Sequence, residues 1–421
     1  MKKILLLLPA ASYRNQDFLD AAAALGIEVI SAADNCYRLA PSWGLAPLLA
    51  IPFDQPELAV PKVMQLLPEA PDAVLAVDDA GLELAAILCQ MWNLPGNPMA
   101  AVLLTRDKLE FRELLKQNQF NCPQFHHLPD GADPAQVATQ FTFPVVVKAR
   151  RLSASRGIIR ADNLQQLVQA VERVRHIQAV EDRDAAELGI IVESFIPGME
   201  YALEGMLEQG KLRQLALFDK PDPLDGPFFE ETLYVTPSRL PQPIQDDILA
   251  TVERVCGLAG LVEGPIHAEM RVNNQGVWLL EVAARSIGGL CGRMLRHALG
   301  ISLEEVILRQ ALRLPLPEIK SGGAAGVMMI PLPRRGIYLG TENLEVAKQV
   351  PGVTDIVITA VPGQIIAPPP EGASYLGFVF SVGATSQQAE MALRQAHGLL
   401  VFNIQGDVAL TTQVPNRHEG A

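Results

Sequence analysis

Five consecutive apolar residues, Ile4 to Leu8, make the first unbroken hydrophobic run of the chain. A strand covered on both faces needs such a run, whereas a strand with one wet face alternates apolar and polar positions. Helical spacing follows from Gln16 to Leu25 and stops at Gly26, which is free of the Cβ clash of left-handed backbone. Ile27–Ile30 and Ala73–Val77 repeat the buried-strand pattern, the second ending in Asp78-Asp79. Leu82–Trp92 repeats the helical one, up to Asn93-Leu94-Pro95-Gly96. Strands alternating with helices predict a parallel α/β layer.

The grammar changes after Asn97-Pro98. A helix is expected from Thr105 to Asn118, a strand over Phe143–Lys148, a polar loop Arg151-Leu152-Ser153-Ala154-Ser155-Arg156-Gly157, and a returning strand Ile158–Arg160. Asp162, with Gln165 three residues on, is expected to cap a helix from Leu164 to His176. Two strands flank the turn at Gln209-Gly210. This is α+β with antiparallel sheet. Ser321–Gly326 reads as a flexible seam, followed by short strands (Val327–Ile330, Asp355–Thr359, Leu376–Val382) and a helix, Gln387–Ala396. The fold class is therefore mixed, α/β and α+β multidomain. Residues 1–97 form a layer Rossmann-like in shape but without the GxGxxG dinucleotide fingerprint. Residues 98–318 form a central domain and 319–421 a small α+β C-terminal domain.

Composition narrows the function. Among 421 residues, Lys+Arg 34 against Asp+Glu 47 gives a net charge of −13, which repels nucleic-acid backbones and anionic lipid headgroups. No apolar run approaches the roughly 18 residues of a membrane span. Met1-Lys2-Lys3 before an apolar run superficially resembles a signal peptide, but the run meets Pro9 early, and a buried first strand is expected instead. Cys36, Cys89, Cys122, Cys256 and Cys291 are odd in number and lack CxxC, as buried thiols of a cytoplasmic protein would be.

The chemistry begins with a hairpin. His267, Glu269 and Arg271 share one face of the strand Ile266–Val272. A three-residue loop, Asn274-Gln275-Gly276, closing in a G1 bulge would pair Asn273 with Val277 and hence Glu269 with Glu281. Like charges directly opposite destabilise a sheet pair. A hard divalent cation is the natural offset, because magnesium takes one or two carboxylates with water and phosphate oxygens. A slipped loop would instead turn the two carboxylates to opposite faces. Lys148 ends an otherwise apolar strand just before Ser153, Ser155 and Gly157, whose hydroxyls and N–H groups can wrap phosphate oxygens; a snorkelling lysine is the plain alternative. Lys108, in Arg106-Asp107-Lys108 with Arg112 one turn later, would alone be a solvated helix face.

In order, Lys108, Lys148, the serine-glycine loop, Val192–Tyr201, Glu269 and Glu281-Val282-Ala283-Ala284-Arg285 resemble the ATP-grasp superfamily over roughly residues 98 to 315. The Rossmann-like front, the segment Asp219–Thr232 and the end domain look like its L-amino-acid ligase branch, carboxylate–amine ligases that make dipeptides. The resemblance implies a two-lobed ATP-grasp core that uses ATP and Mg2+, with Mn2+ an acceptable substitute. Lys108 and Lys148 would hold the α- and β-phosphates under the Ser153, Ser155 and Gly157 loop. Glu193, Phe195 and Ile196 would form the hinge that reads adenine through backbone groups, and Glu200 would accept the ribose hydroxyls. Glu269 and Glu281 would hold the metal. Arg285 would face the γ-phosphate and the acyl-phosphate it becomes, and His267 and Gly288-Gly289 would lie near the amino-acid substrates. The partners implied are small molecules, a carboxylate and an amine, and a homo-oligomer is compatible with them.

One position departs. Many ATP-grasp enzymes carry Asn two residues after the second metal carboxylate, and here that residue is Ala283. This keeps open a catalytically weak nucleotide-binding relative, beside an ATP-grasp enzyme of another carboxylate, formate-dependent or biotin-carboxylase-like. His126-His127 are adjacent on an extended stretch and point apart, so they do not chelate together.

Overall fold

The computed structural model describes residues 1–181, 187–319, 322–372 and 375–406. β1 (Lys3–Leu8), β2 (Glu28–Ala33) and β3 (Ala73–Ala76) form a parallel sheet in the order β2-β1-β3. The run in β1 is unbroken because both faces are covered. Leu5 and Leu7 pack with Ala59 and Val63 of α2 (Pro56–Leu66) and with Leu84 and Leu88 of α3 (Leu82–Met91). Ile4 and Leu6 pack with Phe18 and Ala22 of α1 (Asn15–Ala24) on the other side.

The helix expected over Thr105–Asn118 is two helices, α4 (Met99–Arg106) and α5 (Lys108–Gln117). Asp107 separates them. Its backbone is extended, and its carboxylate accepts from Leu109 N at 3.0 Å, the N-cap bond that starts α5. The same carboxylate receives Arg150 Nε at 2.9 Å and Nη2 at 2.6 Å. The break thus sets Lys108 at the first position of a helix.

A small lobe follows. β4 (Phe125–Leu128), β5 (Val145–Ala149), β6 (Ile158–Ala161) and β7 (Ile190–Ser194) form an antiparallel sheet in the order β4-β7-β5-β6. It is covered by α6 (Pro134–Ala138) and α7 (Leu164–Glu181) through Val137, Leu167, Val171 and Val174. The cap of α7 is Asn163, one residue later than expected. Gln166 N donates to Asn163 Oδ1 at 3.0 Å and Gln166 Oε1 accepts from Asp162 N at 2.7 Å, while the Asp162 carboxylate is occupied by Arg160.

The large sheet holds β8 (Met199–Glu208), β9 (Lys211–Lys220), β10 (Leu233–Thr236), β11 (Gly264–Asn273) and β12 (Gly276–Ala283). It continues without interruption into β13 (Ala324–Ile330). After β14 (Gly336–Glu342) come β15 (Val353–Ile358), β16 (Ile365–Ile366), β17 (Gly377–Gly383) and β18 (Val401–Gln405). The order is β12-β11-β8-β9-β10-β13-β17-β15, with β16-β14-β18 as a separate sheet. The expected seam is thus partly strand, since Ala324–Gly326 open β13 and Gly326 pairs with Val235 of β10. A Cβ on Gly326 would lie 2.9 Å from Leu393 Cδ1 and 3.1 Å from Val235 Cγ1, so this glycine serves close packing. Ser321 lies outside the described residues. Among the described residues, no helix is long and apolar enough to cross a membrane.

Candidate active site

A cleft of about 640 Å³ opens between the small-lobe sheet and the large sheet. Its apolar lining is Val146 and Ile158 from the lobe, Leu280 from the large sheet, and Phe195, Ile196 and Phe229. Among these stand Lys108, Lys148, Ser155, Glu193, Glu200, Glu231, Glu269, Arg271 and Glu281. Of the residues expected in the site, Ser153, Gly157, His267 and Arg285 stand outside this wall.

Lys148 is buried near the end of β5, and its Nζ lies 2.6 Å from Glu193 Oε2 on the neighbouring strand. Arg112, fully buried on α5, brings Nε to 2.7 Å from the other Glu193 oxygen and donates from Nη1 to Leu280 O at 3.0 Å. Burial pushes the Glu193 carboxyl up, but the two cations outweigh it and bring the pKa to about 2. Burial, with Arg112 and Lys108 nearby, lowers that of Lys148 against the pull of Glu193. The Glu193 side chain thus anchors two cations. In the hinge that follows, Ser194 N and Phe195 N already donate to Gln124 O and Pro144 O, and Ile196 O accepts from Arg271 at 2.8 Å.

Lys108, also buried, donates from Nζ to Leu152 O at 2.6 Å and lies 3.7 Å from Glu281 Oε2. It therefore joins the start of the serine-glycine loop to the acidic hairpin. Ala154 and Ser155 both have φ +57, and Gly157 has φ +62. Arg156 N donates to Ser153 O at 3.4 Å, closing the turn that these residues make. Ser153 stands against Asp79 of the first layer.

Glu269 does pair with Glu281, though not by the route expected. The turn is tighter, with Asn273 opposite Gly276, and a bulge between Glu269 and Met270 leaves Leu280 without a partner and restores the register. The displaced Leu280 is the residue that floors the cleft and offers its carbonyl to Arg112. Bulges re-aim side chains in this way beside functional sites.

The carboxylate repulsion is offset by cations of the protein itself. Lys220 Nζ, at the end of β9, lies 2.8 Å from Glu200 Oε1, 2.6 Å from Glu231 Oε1 and 2.8 Å from Glu269 Oε1. Tyr234 caps the group, its ring 5.0 Å from the ammonium. His267 bridges Glu204 Oε2 (Nδ1, 3.0 Å) and Glu269 Oε1 (Nε2, 3.4 Å). Burial opposes its charge, but the two carboxylates outweigh this and raise its pKa to about 9. Burial and the neighbouring Glu269 lift Glu231 to about 7, whereas Glu269, despite burial, is held well below the ordinary range by Lys220 and His267. Glu200 also receives Arg271 Nε at 3.3 Å, so both its oxygens have partners.

Glu200, Glu231 and Glu269 offer oxygens within 4.8 Å of one another, and Glu281 faces Glu269 across the hairpin. A set of carboxylate oxygens open to the cleft fits a hard divalent cation such as magnesium or manganese. Arg285 leaves the end of β12 and is held by Asp79 (3.1 Å) and Asp78 (4.0 Å) of the first layer. Arg14, also from that layer, holds the carbonyl of Ser286, while Ile287 N donates to Glu204. Gly289, with φ +60, turns under the Phe378 ring, where a Cβ would lie 3.0 Å from Cε1. His127 Nε2 lies 2.8 Å from Leu188 O, away from the cleft. Cys36 is exposed and Cys122 half-buried, unlike the buried thiols expected; Cys89, Cys256 and Cys291 are buried.

Sequence reasoning missed Arg112, Lys220, Glu231, Tyr234 and Glu204. Lys220 carried a weaker form of the signal that singled out Lys148, since the apolar run Leu215–Phe218 closes in Asp219 and Lys220 comes one residue later. Arg112 lies four residues after Lys108 and so on the same helix face.

Residues 141–294 match the model of an ATP-grasp domain, and residues 328–405 that of L-amino acid ligase C-terminal domain 2. The crystal structure of an L-amino acid ligase from Bacillus licheniformis superposes with a TM-score of 0.79 at 26% identity, covering 96% of this chain and 99% of that one. Carnosine synthase 1 of Gallus gallus is 28% identical over 277 residues, 62% of this chain but 30% of that protein. A D-alanine–D-alanine ligase of Pseudomonas putida is 25% identical over 225 residues, 51% of this chain and 65% of that enzyme. The chain therefore spans less than two thirds of the length of these curated relatives. What it carries is an ATP-grasp domain followed by an L-amino acid ligase C-terminal domain, on the fold of an L-amino acid ligase.

Proposed function

We propose that the protein is an ATP-dependent carboxylate–amine ligase that joins two amino acids through an acyl-phosphate. The observation that carries this reading is one cleft that gathers the buried cations Lys108 and Lys148, the Glu269–Glu281 pair and a set of apolar side chains. Adenine fits against Val146, Ile158, Ile196 and Leu280. Lys148 and Lys108 take the α- and β-phosphates, Ser153, Ser155 and Gly157 cover them, and Glu200 takes the ribose. Magnesium held by Glu269 and Glu281 would neutralise charge on the phosphate oxygens.

A carboxylate oxygen attacks the γ-phosphorus, and the bond to ADP breaks. The amine nitrogen then attacks the acyl carbon, the carbon–oxygen bond to phosphate breaks, and the amine loses its proton as the amide forms. Arg285, aimed by Asp79, stabilises the charge on the transferred phosphoryl group. Fixed cations in a closed site act without reorganising as that charge develops. Glu231, on the cleft wall beside Lys220, would face the amine substrate. Closure of the 153–157 loop keeps water from the acyl-phosphate. Screening amino-acid pairs for release of ADP and phosphate in equal amounts tests the reading. AMP and pyrophosphate would overturn the acyl-phosphate, and turnover with formate or bicarbonate alone would favour another carboxylate.

A further inference from the structure

The loop that would cover the nucleotide is held from outside its own lobe. Gly157 donates its N–H to Pro370 O at 3.3 Å. Nearby, Arg173 on α7 forms a two-point pair with Glu371, Nε to Oε1 at 2.6 Å and Nη2 to Oε2 at 2.8 Å. Pro370 and Glu371 belong to the segment between β16 and β17, in the C-terminal part of the chain. The lobe has a second tie, to the core segment 225–228. Arg160 N donates to Pro227 O at 2.9 Å, Arg160 Nη1 to Asp225 O at 2.7 Å, and the Arg173 guanidinium lies 5.1 Å from the Phe228 ring. Of these two ties, the first reaches the phosphate loop itself.

We propose that Pro370 and Glu371 are positioning residues through which the C-terminal domain sets the closed position of the 153–157 loop. The inference rests on the ligase reading. A fork-to-fork arginine–carboxylate pair fixes orientation as well as distance. This one joins the lobe to another domain, so it exists only while the lobe lies against that domain. It therefore acts on the closing equilibrium, and hence on nucleotide retention and water exclusion.

The test compares wild type with Glu371→Arg, Arg173→Glu and the double reversal. Each is assayed for KM and kcat, for ADP formed per amide, and for trypsin cleavage after Arg151 and Arg156 with and without magnesium–ATP. Each single variant should raise KM for ATP about twofold to fivefold, the scale of an exposed ion pair. It should also lose ATP protection of the loop and form more ADP per amide, with kcat and the melting temperature little changed. The double reversal should restore all three. Single variants equal to wild type, or a double reversal no better than the singles, overturn the positioning role. A wild type that neither gains protection from magnesium–ATP nor turns it over removes the ligase reading as well, which distinguishes the two failures.

Discussion

Replacing Lys220 by Met keeps most of the side-chain stem and removes one charge from the centre of three carboxylates. In the native protein that ammonium lies within 2.8 Å of Glu200, Glu231 and Glu269 and is 3% exposed. Removing one partner of a buried ion cluster leaves the others uncompensated, a loss of about 3–5 kcal/mol. At roughly 2–4 °C per kcal/mol for a domain of this size, the melting temperature should fall by about 6–20 °C. The deficit should also depend on pH in a defined direction. Glu231, already raised to about 7 by burial and Glu269, loses with Lys220 the cation that opposes this rise, which penalises the folded state above the folded pKa and relaxes as pH falls and the carboxyl takes up its proton. The variant should therefore approach wild type on acidification from roughly pH 8 to 5. Millimolar magnesium should stabilise the variant more than wild type, because a divalent cation replaces the missing charge. Thermal unfolding by circular dichroism, across pH and with and without magnesium, is the measurement. A loss below about 1 kcal/mol, or a deficit that does not change with pH, would refute the view that Lys220 neutralises this cluster.

Lys148→Ala should abolish ATP turnover with the fold intact, since losing a charge-assisted phosphate contact costs about a few kcal/mol of transition-state stabilisation; near-normal kcat at saturating ATP would make Lys148 merely an internal partner of Glu193. Glu281→Gln should abolish magnesium-dependent turnover while changing the melting temperature little, because its nearest cation, Lys108, is 3.7 Å away and retains its bond to Leu152 O. Equal activity of wild type and variant over a magnesium titration would remove Glu281 from the metal site. Because the Glu193 pKa falls from 4.5 to about 2 on folding, its contribution is complete above 4.5 and is lost as pH falls towards 2. Acid unfolding of Glu193→Gln should lack that part of the slope, and an unchanged slope would show that Glu193 does not sense both cations.

The sequence pattern reached furthest where one local rule decides. The run Ile4–Leu8 meant a two-sided strand because cover on both faces leaves no position for a polar side chain. Lys148 was visible because a charge at the end of an apolar strand needs a reason. The hairpin partner of Glu269 was read correctly through two differences that cancel, a turn one residue tighter and a bulge at Leu280; local turn chemistry cannot reveal a bulge set by packing under Arg112. Arg112 itself looked solvated because the partner that buries it, Glu193, lies 81 residues away. The Asp107 break was hidden for a related reason: an aspartate inside a helical pattern becomes a cap only when Arg150 is there to hold it. Lys220 was harder to see by the rule applied to Lys148, because Asp219 stands between it and the apolar run Leu215–Phe218.

The single sheet that runs from the Glu269–Glu281 hairpin into the C-terminal strands sets where this chain can be cut. An engineer seeking to exchange the C-terminal domain would naturally divide the chain before β13. That division would strip the ladder from one side of β10, where Leu233, Tyr234, Val235 and Thr236 are all buried. A bare strand edge of that composition templates pairing with other chains, and Tyr234 would lose its wall beside Lys220. A chimera that keeps its site must therefore take β10 and the acidic segment before it from the same parent as β13, although some 90 residues separate them. In this chain the unit of exchange is a patch of sheet, and no single stretch of sequence contains it.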